Sequence, residues 1–170
     1  IVKKCLEQAA LAPNSSNMQL WEFCHITSKD ILKKMEPLCL NQNTAKTAQE
    51  LVVFVTRKDL WRNRAKANLE MVNKIYPTNP NSKKNKREKI IRSYYGKLIP
   101  LVYNDFLGLL GMFKYLIIIV VGLFRPMYRE VRAQDIRVVT HKTCALAAEN
   151  FMLSMAAEGY DTCPMEGTDT

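Results

Sequence analysis

Val2, Cys5, Leu6, Ala9 and Ala10 recur at helical spacing from the first residues of the chain. That helix must stop near Ala12, because Pro13 pushes the residue before it out of helical geometry. Trp21 to Ile26 alternates and is rich in strand formers, which predicts a short strand. Thr27 and Asp30 have the spacing of a capping box ahead of a helix carrying Ile31, Leu32 and Met35. The unbroken run Leu51-Val52-Val53-Phe54-Val55 predicts a buried strand. Asp59 is the expected cap of a helix whose face is Trp61, Ala65, Leu69, Val72 and Tyr76. Pro77 to Ser82 reads as a polar, proline-rich loop, and a basic run follows at Lys83, Lys84, Lys86, Arg87, Lys89 and Arg92.

From Leu98 to Phe124 the chain is strongly apolar, interrupted by Asn104, Asp105 and Lys114. Residues 106–124 are 19 positions with one charge, near the ~20 needed to cross a bilayer. Lys114 in the middle would cost ~2.5–3.5 kcal/mol there, which counts against spanning. A buried or lid-forming helix is the first expectation for this stretch. Interfacial membrane contact through Lys97, Arg125, Arg129 and Arg132 is the second. Ile136 to Gly159 reads as one long helix with Gly159 as its stop. Its small residues Ala145, Ala147, Ala148, Ser154, Ala156 and Ala157 let a neighbouring helix approach, as at the centre of a domain or dimer. No internal repeat is visible.

Composition narrows the class. A chain of 170 residues fits one domain, and 48% apolar with 24% charged residues is globular rather than disordered. The net charge of +9 implies attraction to anions, whether nucleic acid, lipid headgroups or a phosphorylated cofactor. Cys5, Cys24, Cys39, Cys144 and Cys163 are odd in number and contain no CxxC pair. That spacing suits neither a disulfide framework nor a zinc site, so no metal is expected, and reduced thiols point to a cytoplasmic protein. Ile1-Val2-Lys3-Lys4-Cys5 is not a secretory signal, and the chain opens inside an amphipathic pattern. It stops just after a turn at Glu166-Gly167, so both ends read as cut.

Two short stretches carry the chemistry. Pro13-Asn14-Ser15-Ser16-Asn17-Met18-Gln19-Leu20-Trp21 concentrates hydroxyls and amides that make poor core but suit a rigid ring with a polar edge. Cys163-Pro164-Met165-Glu166-Gly167 is a turn in which peptide N–H groups can approach a ligand closely. Between them Asn41-Gln42 precedes the apolar strand. An isoalloxazine ring needs amide or hydroxyl partners on its pyrimidine edge and a donor near N5, and donors there favour the reduced, anionic form. Asn14, Ser15 and Asn17 suit the polar edge or the ribityl chain, and the backbone N–H groups of Glu166 and Gly167 suit N5 and O4.

In order and spacing these motifs resemble those of the nitroreductase family. The first is similar to its pattern of proline, small polar residues, Asn, any residue, Gln, Pro, Trp, with Leu20 where the second proline is usual. Pro164-Met165-Glu166-Gly167 is similar to its proline, aliphatic residue, Glu, Gly turn, and one amide of Asn41-Gln42 to its flavin-facing Asn. The resemblance covers residues 1–56 and 133–169 well and the middle poorly. It implies an α+β fold with a central sheet flanked by helices, a long Ala-rich core helix and an intertwined homodimer. It implies one domain over 1–170 with a helical insertion at about 83–132. It further implies FMN, held by Pro13, Asn14, Ser15, Asn17, Gln19, Asn41, Gln42, Pro164, Met165, Glu166 and Gly167. NADH or NADPH would give hydride to flavin N5, and a nitroaromatic, quinone or similar acceptor would take it. No side-chain acid–base pair is then required, which agrees with a chain whose histidines are His25 and His141. Family members also grip the FMN phosphate through segments upstream of the first helix and downstream of the turn, neither of which lies within these residues.

Each motif has a plainer reading. Asn14 to Gln19 reads equally as a helix-stop loop, Glu166 as a solvated side chain, and Cys163 as a small buried apolar residue. A basic membrane-surface protein without enzymatic activity is the alternative function, carried by the +9 charge and residues 106–124. A nucleic-acid binder resting on Lys83 to Arg92 is third, with only Tyr94 and Tyr95 as a stacking platform, and no nucleic-acid partner is expected.

Overall fold

The computed structural model describes residues 1–76, 86–105 and 109–168. The chain divides into two units. The first comprises Ile1–Pro13, Trp21–Thr56 and Cys144–Thr170, and the second Asn14–Leu20 and Arg57–Thr143. The expected loop from Pro77 to Ser82 lies outside the described residues, as do Lys83 and Lys84 of the basic run.

In the first unit, α1 (Val2–Ala9) precedes strand β1 (Trp21–Ile26), α2 (Lys29–Leu38), the short α3 (Asn43–Thr47) and strand β2 (Leu51–Thr56). The strands form an antiparallel pair in register from Trp21 opposite Thr56 to Ile26 opposite Leu51. Phe23 and Phe54 are direct partners in that ladder, and their rings meet edge to face at 5.0 Å. Phe54 also meets Phe151 edge to face at 5.6 Å, tying the sheet to the long helix α8 (Ala133–Ala157). Cys5, Ala9, Phe151 and Met155 make one buried cluster, and Ala12, Trp21, Cys144 and Ala147 a second. Ala9 and Ala147 are fully covered, so α8 admits a close neighbour at Ala147, whereas Ala145, Ala156 and Ala157 are exposed. The Asn150 amide donates to the Gln8 carbonyl at 2.7 Å and satisfies a group at the end of α1.

In the second unit, a 3₁₀ turn (Ser15–Asn17), α4 (Trp61–Ile75), α5 (Lys86–Ser93), a π turn (Tyr94–Leu98), α6 (Ile99–Tyr103) and α7 (Leu109–Gly122) accompany the first part of α8. Met18, Leu20, Ala65, Ile99, Tyr103 and Ile136 form its core. Trp61 stacks on Tyr103 with ring centroids 5.9 Å apart. At Gly111 an added Cβ would lie 3.3 Å from the Arg132 backbone, so α7 comes close to the start of α8 only because glycine stands there.

Several expectations need correction. α1 closes at Ala9 with Ala10 as its cap, before Pro13 could force it to. No side-chain bond caps α2 at Ser28, so the Thr27–Asp30 box does not form. Asp59 pairs with Arg57 at 2.8 Å instead of capping α4, whose N-cap position is Leu60. β2 is half-buried throughout, because among the described residues the ladder has only two strands and helices cover it incompletely. Tyr76 lies exposed just past the end of α4 rather than on its inner face. Cys163 is exposed, and all five cysteines are free thiols. The long helix begins three residues earlier than expected, at Ala133, with Asp135 bonded back to the Arg132 N–H at 3.0 Å. Its stop is as expected, with Gly159 at φ +83°.

Residues 109–122 are helical as expected, but Gly111 is the only residue of α7 that is buried. Among the described residues no helix is long and apolar enough to cross a membrane.

Candidate functional site

The Asn14–Leu20 segment belongs to the second unit and is fixed by its own apolar residues. Met18 and Leu20 are almost fully buried, which leaves Ser15 and Asn17 exposed between these anchors. The backbone is unusual here. Ser16, Asn17 and Gln19 all have left-handed conformations, at φ 57°, 50° and 47°. Each such residue lacking glycine's freedom costs roughly 1–2 kcal/mol, less for Asn. Hydrogen bonds hold the shape. Asn14 Oδ1 accepts from the Gln19 N–H at 2.9 Å, closing the loop on itself. The Tyr95 hydroxyl donates to the Ser16 carbonyl at 3.0 Å, and Tyr94 Oη shares a hydrogen with Ser16 Oγ at 2.5 Å. Asn68 donates through its amide to the Asn17 carbonyl at 2.9 Å. Burial, with Tyr94 beside it, pushes the Tyr95 phenol above its ordinary value, so it remains a donor at neutral pH.

Pro13 lies in the first unit, exposed between α1 and this loop. The other candidates in the first unit are brought together. Asn41 and Gln42 follow α2, and Pro164–Gly167 follow α8. The Gln42 amide donates to the Gly167 carbonyl at 2.8 Å, and the Thr44 hydroxyl lies 3.2 Å from the Met165 sulfur. A Cβ on Gly167 would sit 3.2 Å from the Gln42 amide nitrogen, so glycine permits this close approach. Met165 is half-buried, whereas Pro164, Glu166 and Gly167 are exposed, with Glu166 solvated as its plainer reading holds. Here too the backbone is left-handed, at Leu40 (φ 55°) and Asn41 (φ 54°).

Among the described residues, every non-glycine residue with positive φ falls in these two segments. Strain of this kind persists where surrounding contacts over-determine the backbone, and it collects at ligand clamps. The sequence carries no notice of Leu40, because leucine has no left-handed signal. It also undervalued Tyr94, Tyr95 and Asn68. The adjacent tyrosines were visible, but only the fold turns their hydroxyls onto Ser16. His25 pairs with Glu50 at 2.7 Å on the sheet, and His141 bonds the Arg137 carbonyl within α8.

The donor set fits a flavin. Exposed amide and hydroxyl groups stand on a stiff loop, and an exposed glycine turn offers backbone at close range. Ser15 and Asn17 present one set, with Asn14 and Gln19 half-buried beside them, and Gln42 braces the turn that presents the other.

The family model described as "Nitroreductase family" matches residues 1–170. A Staphylococcus haemolyticus protein provisionally assigned as an NAD(P)H nitroreductase is 26% identical over 165 residues, which are 96% of this chain and 62% of that protein. Among solved structures, a provisionally assigned nitroreductase of Bacillus subtilis is similar with a TM-score of 0.65 at 20% identity, covering 99% of this chain and 64% of its own. A provisionally assigned nitroreductase from Exiguobacterium sibiricum, solved in complex with FMN, has a TM-score of 0.57 at 21% identity, with 98% and 63% covered. The chain thus spans a little under two thirds of the length of each of these relatives. The fold is nitroreductase-like α+β, as the motifs imply.

Proposed function

Since the chain belongs to the nitroreductase family, we propose that it acts as an FMN-dependent NAD(P)H oxidoreductase. The observation that carries this reading is the coincidence of left-handed, non-glycine backbone with the Asn14–Gln19 loop and with the Leu40–Asn41 turn that leads into Gln42, the residue bonded to Gly167. We assign Pro13, Asn14, Ser15, Asn17, Gln19, Asn41, Gln42, Pro164, Met165, Glu166 and Gly167 to the cofactor. FMN, when bound, supplies the hydride chemistry between NADH or NADPH and a nitroaromatic, quinone or similar acceptor.

The side chains position rather than react. Ser15 and Asn17 offer hydroxyl and amide partners to a polar edge, held in place by Tyr95 and Asn68 behind them. Gln42 fixes the Gly167 carbonyl, which orients the peptide N–H groups of the turn toward a ligand that gathers negative charge on reduction. In the reading proposed here the protein is a cytoplasmic homodimer. The Asn14–Gln19 loop of one subunit completes a site based on the turn of its partner, and the helices at about 83–132 are an insertion in a single domain.

The test is flavin retention. Asn17→Ala should lose FMN from the purified, reconstituted protein while its circular dichroism stays unchanged. Asn17→Gly, which keeps the left-handed backbone available, separates the amide from the conformation. Full flavin occupancy in both variants would overturn the assignment of this loop.

A further inference from the structure

Helix α7 is divided along its length. At 100° per residue, Gly111, Lys114, Tyr115, Ile118, Val121 and Gly122 share one side, and these are its buried and half-buried positions. The opposite half of the circumference presents Leu109, Met112, Phe113, Leu116, Val120 and Leu123, all exposed. No polar side chain interrupts that outer face. Phe124, which follows the helix, is at 86% the most exposed large apolar residue among the described residues. Helices apolar on every side are ordinarily covered on every side. A continuous exposed apolar stripe of this size marks a docking surface.

The one charge in the helix is turned away from that face. The Lys114 ammonium donates to the carbonyls of Leu101 (3.0 Å), Val102 (3.2 Å) and Asn104 (2.7 Å), closing the end of α6. Cations gather instead at the end of the stripe. Arg125 and Arg129 follow it and are exposed, and the Arg129 guanidinium lies against the last turn of α7 at Gly122. The charge of the whole chain is distributed in the same sense. The unit bearing α7 holds 19 Lys and Arg against 6 Asp and Glu, a net of +13. The other unit holds 6 against 10, a net of −4. Such polarity has no bearing on the packing of either core, but it matches an anionic surface.

We propose that the outer face of α7 docks on an anionic lipid bilayer, lying in the interface with Phe113, Leu116, Val120 and Phe124 among the acyl chains and Arg125 and Arg129 among the headgroups. An exposed apolar helix face followed by arginines suits the boundary between headgroups and acyl chains, and 14 residues are too few to span. Anionic lipid is favoured over a symmetric contact with the same face of a second copy, because that contact would bring like charges together at Arg125 and Arg129. This inference stands apart from the flavin site, whose residues it does not use.

The experiment is flotation of the full chain with phosphatidylcholine vesicles, with and without about one quarter phosphatidylglycerol, at low and high salt. The protein should float with the anionic vesicles, lose that binding at high salt, and stay behind with phosphatidylcholine alone. Leu116→Ser with Val120→Ser changes only exposed side chains and should cut binding about tenfold or more. Arg125→Gln with Arg129→Gln should cut it several-fold at low salt. Absorbance of bound FMN is read in parallel and should be the same in all variants, so failure of either reading is visible without the other. The proposal is overturned if the parent chain does not float, or if the serine pair floats equally. It is also overturned if that pair merely reduces a concentration-dependent assembly in the absence of lipid, which would make a second copy the occupant.

Discussion

Helices α2 and α8 end in the same hydrogen-bonded motif, with leucine at its left-handed position in one and glycine in the other, so the cost of a side chain there can be measured at two sites. After α8, the Gly159 N–H donates to the Ala156 carbonyl and the Tyr160 N–H to the Met155 carbonyl, both at 3.0 Å. After α2, the Leu40 N–H donates to the Pro37 carbonyl at 3.0 Å and the Asn41 N–H to the Glu36 carbonyl at 2.9 Å. Both are Schellman closures, in which glycine is the usual residue at the turning point. A side chain there costs roughly 1–2 kcal/mol. The greater freedom of glycine in the unfolded chain offsets about 0.4–1 kcal/mol of that. A Cβ at position 159 meets nothing within 4 Å, so packing adds no term. Gly159→Ala should therefore destabilise the fold by about 1 kcal/mol, or about 2–4 °C in Tm for a chain of this size. At position 40 the informative pair is Leu40→Gly against Leu40→Ala, since both remove the leucine side chain. Here the glycine variant should be the more stable, again by about 1 kcal/mol. Urea unfolding midpoints at unchanged slope read both differences. An alanine at 159 as stable as glycine, or an alanine at 40 at least as stable as glycine, would refute the claim that these positions store strain. The second result matters for function, because Leu40 sets the direction in which Asn41 and Gln42 leave α2.

Two further outcomes are expected. Tyr95→Phe removes the donor to the Ser16 carbonyl; it should cost about 1 kcal/mol and lower FMN retention, and a variant changed in neither property would show that the loop is held by other means. Asp135 accepts from the Arg132 N–H and Nε at 3.0 Å each, and these bonds hold its carboxyl below its ordinary 3.8. A carboxylate with a depressed folded-state pKa stabilises fully above the unfolded value and loses that effect as pH falls through the folded one. Asp135→Asn should thus be less stable than the parent at neutral pH, with the gap closing below pH 3.8; a gap of constant size down to about pH 3 in urea midpoints would contradict the charge-based account.

Much of this protein was legible in its residue order, because short-range patterns report on geometry that is itself short-range. The period of Val2, Cys5, Leu6 and Ala9 gave α1, the alternation from Trp21 gave β1, and Gly159 gave the end of α8. The motifs around Asn14 and Gly167 identified the family because their spacing encodes a backbone shape rather than a distant contact. What the tertiary structure alone decided involves partners far apart in sequence. Gln42 reaches Gly167 across 125 positions, and Tyr95 reaches Ser16 across 79. No local pattern announces either bond. The apolar run of residues 109–124 posed the same problem in another form, since hydropathy counts residues without saying which way they point. The fold turned Lys114 inward onto the carbonyls closing α6 and left Leu116 and Val120 outward. Composition sets how much apolar surface a chain carries, whereas only the packing of its elements settles which part of that surface stays uncovered.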